Sequence, residues 1–183
     1  ELVLTAGQDL DFFAQVKKAY EQYAKAGNLI TKNYFLLARG PYDIAAVLDE
    51  NETKDPLIIK GPVIDLFDPA LPVLQEKTVN PGEQAFLYQL GRVKNDGTPK
   101  VLAAAARVYD EKTNGRQYTF TVKSPAKTVN VMRILLPAKP VKVEAVANGN
   151  VLNLFKNTWD EQTKTCLLEF DNFSEGVNVS VNW

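Results

Sequence analysis

The sequence predicts a mainly β protein, an antiparallel β-sandwich with one N-terminal α-helix. Three observations predict it. One stretch near the start has a helical period, the pattern changes to period two at about residue 33 and stays there, and the later turns are too short for crossover helices.

The helical stretch is residues 8–27, QDLDFFAQVKKAYEQYAKAG. Leu10, Phe13, Val16, Tyr20 and Tyr23 recur at three- and four-residue steps and make one apolar stripe. Asp9 and Asp11 sit near the positive N-terminal end, Lys17, Lys18 and Lys25 follow, and Gly27 is placed to stop the helix. Then come short apolar segments bounded by Gly, Pro, Asn and Asp, which read as strands: NYFLLAR (33–39), YDIAAVLD (42–49), PLIIKG (56–61) and VIDLF (63–67). AFLYQLGRV (85–93) and KVLAAAARVY (100–109) follow, separated by the turn KNDGTP. A second turn, DEKTNGR, leads into QYTFTVK (117–123), where Tyr118, Phe120 and Val122 share one face and Gln117, Thr119 and Thr121 the other. TVNVMRILL (128–136), VKVEAVA (141–147), the Asn148–Gly149 turn, NVLNLFK (150–156), TCLLEF (165–170) and GVNVSVNW (176–183) complete the series.

In the last segment Val177, Val179, Val181 and Trp183 alternate with Asn178, Ser180 and Asn182. The phasing sends Tyr118, Phe120, Val122, Val177, Val179 and Val181 to the core, with Thr119, Asn178 and Ser180 outward. About a dozen such strands are expected to form two packed sheets. A seam at 27–33 divides a helix or connector (1–32) from a β-sandwich domain (33–183), one continuous domain being the alternative, with a softer seam near 95–100. No repeat or low-complexity segment is evident.

Composition narrows the chemistry. Lys plus Arg number 21 against 22 Asp plus Glu, a net charge of −1, so no basic face points to nucleic acid. No apolar run approaches the length of a membrane span, and no basic or apolar leader is visible. The chain starts at Glu1 and its sole methionine is Met132, so it reads as a processed protein or a piece of a longer one. Cys166 is the only cysteine and lies in an apolar strand; a small buried hydrophobe is expected there.

The chain has no histidine at all. That removes the Ser-His-Asp and Cys-His nucleophile systems, the usual general base near neutral pH, and the commonest zinc, copper and iron ligand. Neither a metal site nor a cofactor is expected. What remains is carboxylate chemistry, calcium binding, lysine chemistry, or no catalysis.

Four residues stand out as candidates for a site: Tyr42, Asp65, Asp68 and Trp159. Asp65 and Asp68, in KGPVIDLFDPALPV (60–73), resemble the paired acids of a glycosidase, whose carboxyls stand about 5–5.5 Å or about 6.5–9.5 Å apart. In an extended strand three residues span about 10 Å and the two side chains face opposite ways. The structural alternative is a corner, with the strand ending at Asp68–Pro69 and Asp68 accepting backbone N–H bonds.

In ARGPYDIAAVLDENE (38–52), Arg39 offers a carboxylate partner and Tyr42 a stacking face for a sugar. Asp43, Asp49, Glu50 and Glu52 add acidic oxygens without the alternating spacing of a calcium loop. A hairpin with a solvated acidic turn explains the same residues. Trp159 lies in the polar, turn-like KNTWDEQTK, where an exposed indole would be a sugar platform and a buried one ordinary packing; Trp183 reads as core. The N-x-S/T triplets at Asn51, Asn172 and Asn178 occur this often by chance.

Several stretches, RGPYDIAAVLDE, IIKGPVIDLFDPALPVL, VNPGEQAFLYQL, KVLAAAARVYDE, SPAKTVNVMRILLP and the closing TWDEQTKTCLLEFDN…GVNVSVNW, are similar to the C-terminal β-rich region of a protein family. These are large, uncharacterised, glycoside-hydrolase-like proteins secreted by polysaccharide-degrading bacteria. The resemblance spans about residues 34–183, lies in strand and turn phrasing, and carries over no catalytic residue. It implies a β-sandwich packed beside or downstream of a catalytic domain, with the helix as a connector or the last element of that domain. It also implies export, to the periplasm, the cell surface or the medium. Three functions follow: a non-catalytic accessory module that braces a catalytic domain or contacts polysaccharide, a structural or adhesive protein-binding surface module, and a carboxylate-based glycoside hydrolase drawing its acids from residues 43–68.

Overall fold

The computed structural model describes residues 10–49, 54–94 and 96–183, with side chains in the first helix from residue 12 onward. Gln8 and Asp9 of the expected helix, Glu50, Asn51 and Glu52 of the acidic turn, and Asn95 of the softer seam lie outside the described residues. By its contacts the chain divides into two compact units, Glu1–Asn33 and Tyr34–Trp183.

In the first unit, helix α1 (Leu10–Lys18) continues as a single π-helical turn, Ala19–Tyr23. It stops four residues short of Gly27. Lys25 and Gly27 both take left-handed φ angles, 53° and 88°, so the chain has already left the helix there. Glu21 then holds the exit by accepting the Leu29 N–H at 2.9 Å. The apolar stripe stays uncovered: Phe13, Val16, Tyr20 and Tyr23 are all exposed.

Among its described residues the second unit is mainly β, with fourteen strands in three sheets and every pairing antiparallel. Sheet I has the order β1 (Tyr34–Arg39), β2 (Tyr42–Val47), β5 (Gln84–Gln89), β3 (Leu57–Asp65), β4 (Val73–Val79). Sheet II runs β12 (Lys156–Asp160), β13 (Thr165–Asp171), β9 (Val129–Leu135), β6 (Lys100–Ala104). Sheet III runs β11 (Asn150–Val151), β10 (Lys142–Ala147), β14 (Val177–Asn182), β8 (Gln117–Lys123), β7 (Arg107–Asn114).

Sheets II and III form the sandwich. Their inner faces bury one cluster that includes Tyr118, Phe120 and Val122 of β8, Val177, Val179 and Val181 of β14, and Met132, Ile134, Cys166, Leu168 and Phe170 of sheet II. All six core positions expected from the alternation are buried, while Asn178 is exposed and Thr119 and Ser180 are intermediate. Trp183 packs against the same cluster. Pairing of Val177 with Val122, Val179 with Phe120 and Val181 with Tyr118 fixes this register, because a one-residue slip would turn the whole row to solvent.

Sheet I is the departure from the two expected sheets. Its strand β3 is one strand where two were expected, with a bulge between Lys60 and Val63 and a cis Gly61–Pro62 bond. The first half of β3 pairs with β4 alone; the second half lies between β4 and β5. A Cβ at Gly61 would stand 2.3 Å from the Leu74 carbonyl oxygen, so only glycine permits this approach. The bent sheet buries Ala45, Val47, Val63, Val79, Ala85 and Leu87 on one face.

Around β3 the other face packs on the outer face of sheet II: Ile64 and Tyr88 meet Leu102 and Leu135, with Leu71 between. Burying each such large aliphatic side chain is worth about 1.5–3 kcal/mol. A module that needed only two sheets would leave this face of β9 and β13 wet.

Candidate functional site

The structure resolves the corner at Asp65 and Asp68. Strand β3 ends at Asp65, three residues before the expected end at Asp68. Asp65 is 4% exposed; its Oδ1 accepts the Phe67 N–H at 3.0 Å and its Oδ2 the Lys77 ammonium at 2.7 Å. Asp68 is exposed, its Oδ1 accepts the Ala70 N–H at 2.9 Å, and its carbonyl accepts the Leu71 N–H at 2.9 Å. Each aspartate thus closes its own turn, as short polar side chains do where the chain reverses. Asp68→Ala is therefore expected to lower stability by about 0.5–2 kcal/mol, the scale of a lost cap-type bond. Thermal melts check it, and an unchanged midpoint would remove Asp68 from the corner. Phe67, in the segment VIDLF read as a strand, lies past the end of β3 and is 61% exposed because the turn swings it out.

A second carboxylate joins Asp65 across the sheet. Asp43 and Asp65 both pair with Leu87 from opposite sides, so they stand in one row on the buried face, two strand spacings or about 10 Å apart. Asp43 is 2% exposed and fully engaged: Arg92 donates at 2.6 Å and 3.2 Å, and the Gln89 amide at 2.9 Å. The 3-10 turn Leu90–Arg92 delivers that arginine. Both oxygens of each buried acid are already engaged by a cation or an N–H donor. This row ties strands together. Among the described residues no group of three His, Cys, Asp or Glu side chains is placed to hold a metal ion, and no helix is long and apolar enough to cross a membrane.

Tyr42 falls on the opposite face of β2. Alternation exposes Tyr42 and Ile44 while burying Asp43, Ala45 and Val47. Register puts Tyr42, Ile44 and Ala46 beside Tyr88, Phe86 and Gln84 on one side, and beside Arg39, Leu37 and Phe35 on the other. Tyr42 stacks on Phe86 at 5.6 Å and meets Tyr88 edge-on at 5.1 Å; Phe67 tilts against Phe86 at 6.1 Å. The corner and Tyr42 are thus brought together by aromatic contact. Where sheet II stops covering sheet I, an apolar face remains open: Phe35 at 58%, Leu37 at 43%, Ile44 at 44% and Phe67 at 61%. The sequence showed these residues as ordinary strand hydrophobes; their summed exposure on one face is a property of the register.

Trp159 belongs elsewhere. KNTWD, read as turn-like, is the edge strand β12 of sheet II. Trp159 pairs with Cys166, which pairs with Ile134, so its side chain shares the inner face and packs on the sandwich core. Its indole N–H is taken by Glu161 at 2.6 Å. The indole is thus engaged on its apolar and polar sides, while the half-buried residue also borders the depression beside Arg133.

Burial also shifts protons. The Cys166 thiol is pushed up to about 11 by burial, with Arg133 nearby working against the rise. The Tyr118 hydroxyl is raised by burial and by donating to Glu111, and Tyr88 is raised by burial beside Tyr42. In each case the folded state keeps a proton that the unfolded chain gives up. Stability is level below the unfolded values and falls as pH climbs through them. Melting temperatures are expected to be flat to about pH 8.5 and to fall from there toward pH 11. A flat profile across that window would contradict the burial of these groups.

No protein-family model matches the chain, and neither the curated proteins nor the solved structures contain a match.

Proposed function

We propose that this chain is a non-catalytic β-sandwich accessory module of a secreted carbohydrate-active protein, and that it braces a neighbouring catalytic domain through the open face of sheet I. The observation that carries the reading is the continuous exposed row Phe35, Leu37, Ile44 and Phe67 around the Tyr42–Phe86 stack. Contiguous apolar surface of this kind marks an interaction site, whereas singly scattered exposed hydrophobes need no explanation. The chemistry agrees: there is no histidine, and the buried acids are consumed by ion pairs. The resemblance of residues 34–183 to β-rich regions beside catalytic domains supplies the kind of partner. A protein-binding surface module unconnected with carbohydrate would use the same face, and the partner's identity separates the two.

The test is a Leu37→Lys/Ile44→Lys double variant titrated against the separately expressed adjoining domain. Both side chains are exposed, so stability should change by no more than about 0.5 kcal/mol per site. Association should be abolished. Undiminished association by the variant, or none by the unaltered chain, would remove the bracing role.

A further inference from the structure

Among the described residues Arg133 is a buried cation that makes no ion pair. Arg133, on the outer face of β9, is 6% exposed, and its two partners are neutral: Nε donates to the Leu71 carbonyl at 2.9 Å and Nη1 to the Thr165 hydroxyl at 3.1 Å. Among the described residues no carboxylate stands within ion-pair distance of it. Asp160 is close enough to favour its charge, yet Oδ1 of that residue is spent on the N–H groups of Gln162 and Thr163 at 2.9 Å and 3.1 Å. A guanidinium has five N–H donors, so three remain, including both on Nη2. The free N–H groups are not sealed from solvent, so water meets them and a ligand carboxylate can take its place.

Arg133 opens on a shallow, wide-mouthed depression lined by Val73, Thr158, Trp159, Asp160, Glu161 and Gln162, with Leu167. The outward row Thr158–Leu167–Arg133, set by strand pairing, forms its floor.

We propose that this depression binds a small polyhydroxylated carboxylate, a uronic acid sugar being the representative of the class. The free side of the guanidinium takes the carboxylate in a two-bond fork. The Thr158 hydroxyl, the Gln162 amide and the unspent oxygen of Asp160 supply partners for ring hydroxyls, and Val73 and Leu167 an apolar wall. Glu161 on the rim is already engaged by the Trp159 indole and the Lys164 ammonium, whereas Asp160 opposes the ligand's charge, which gives the proposal a signature that a purely structural Arg133 lacks. The site is separate from the open face of sheet I and does not depend on what docks there.

The experiment is calorimetric titration of the whole chain with trigalacturonate, with the same trisaccharide fully methyl-esterified, and with cellotriose. The acid form is expected to bind, the ester at least about tenfold more weakly for loss of the charged fork, and cellotriose no better than the ester. Salt should weaken the acid form selectively. Asp160→Asn keeps the turn-closing acceptor and removes the opposing charge, so it should tighten acid binding several-fold. This arm stands even if Arg133→Lys, which loosens the tie to Leu71, fails to fold. Equal binding of acid and ester, no binding of the acid form, or an Asp160→Asn variant that binds no more tightly would each overturn the proposal.

Discussion

Replacing Arg92 by alanine is expected to cost about 3–5 kcal/mol of folding stability, more than replacing the aspartate it holds. The asymmetry follows from burial. The Arg92 side chain is 43% exposed and the Asp43 side chain 2%. Removing Arg92 leaves the buried Asp43 side chain in the bent core of sheet I with only the Gln89 amide as partner. Removing Asp43 instead releases an arginine that already reaches water, and Gln89 keeps its bond to the Lys60 carbonyl at 3.1 Å. That loss should be nearer the cost of one unsatisfied buried group, about 1–3 kcal/mol. Adding Asp43→Asn to Arg92→Ala should recover much of the difference, because the stranded acid is gone. Urea melts on the three variants test the order, and an Asp43→Ala loss exceeding that of Arg92→Ala would contradict it.

Phe120→Ala is expected to cost about 3–5 kcal/mol, the usual range for emptying an aromatic site in a close-packed core. Phe120 is 2% exposed, lies 5.0 Å from the Tyr118 ring, and faces Val179 across the β8–β14 pairing. The inner faces of two sheets fix this site from both sides, so little collapse is available to refill it. The denaturation midpoint should fall with an unchanged slope. A loss below about 1 kcal/mol would mean that Phe120 does not fill the sandwich.

The strands that were legible in the sequence are those with one wet face. In β8 and β14 apolar and polar residues alternate without a break, and period two is then sufficient. The polar edge strands β4 and β12 were not legible. VLQEKTV (β4) carries Gln75, Glu76 and Lys77, and KNTWD (β12) carries Lys156 and Asp160, the polar dressing that keeps sheet edges from pairing with other chains. The charged DEKTN of β7 looked like a turn for the same reason, although the hairpin turns only at Gly115–Arg116. At β3, Gly61–Pro62 reads as a break and is instead a bulge inside one strand.

The third sheet was hidden because stacking on it adds Val131, Leu135 and Leu167 on the outer face of β9 and β13 to the apolar inner row, and period two cannot tell which neighbour covers which face. The corner at Asp68–Pro69 was readable locally. The Asp43–Arg92 pair, 49 residues apart, and the meeting of Tyr42, Phe67 and Phe86 exist only through strand register.

The central claim is that the open face of sheet I is a docking surface. Hydrogen–deuterium exchange, compared between the isolated chain and the same residues within the longer protein that the proposal sets it in, tests this most directly. The account predicts slower exchange concentrated at residues 35–37, 42–46 and 66–68, with β8 and β14 unchanged. Identical exchange at those residues in both contexts would contradict it.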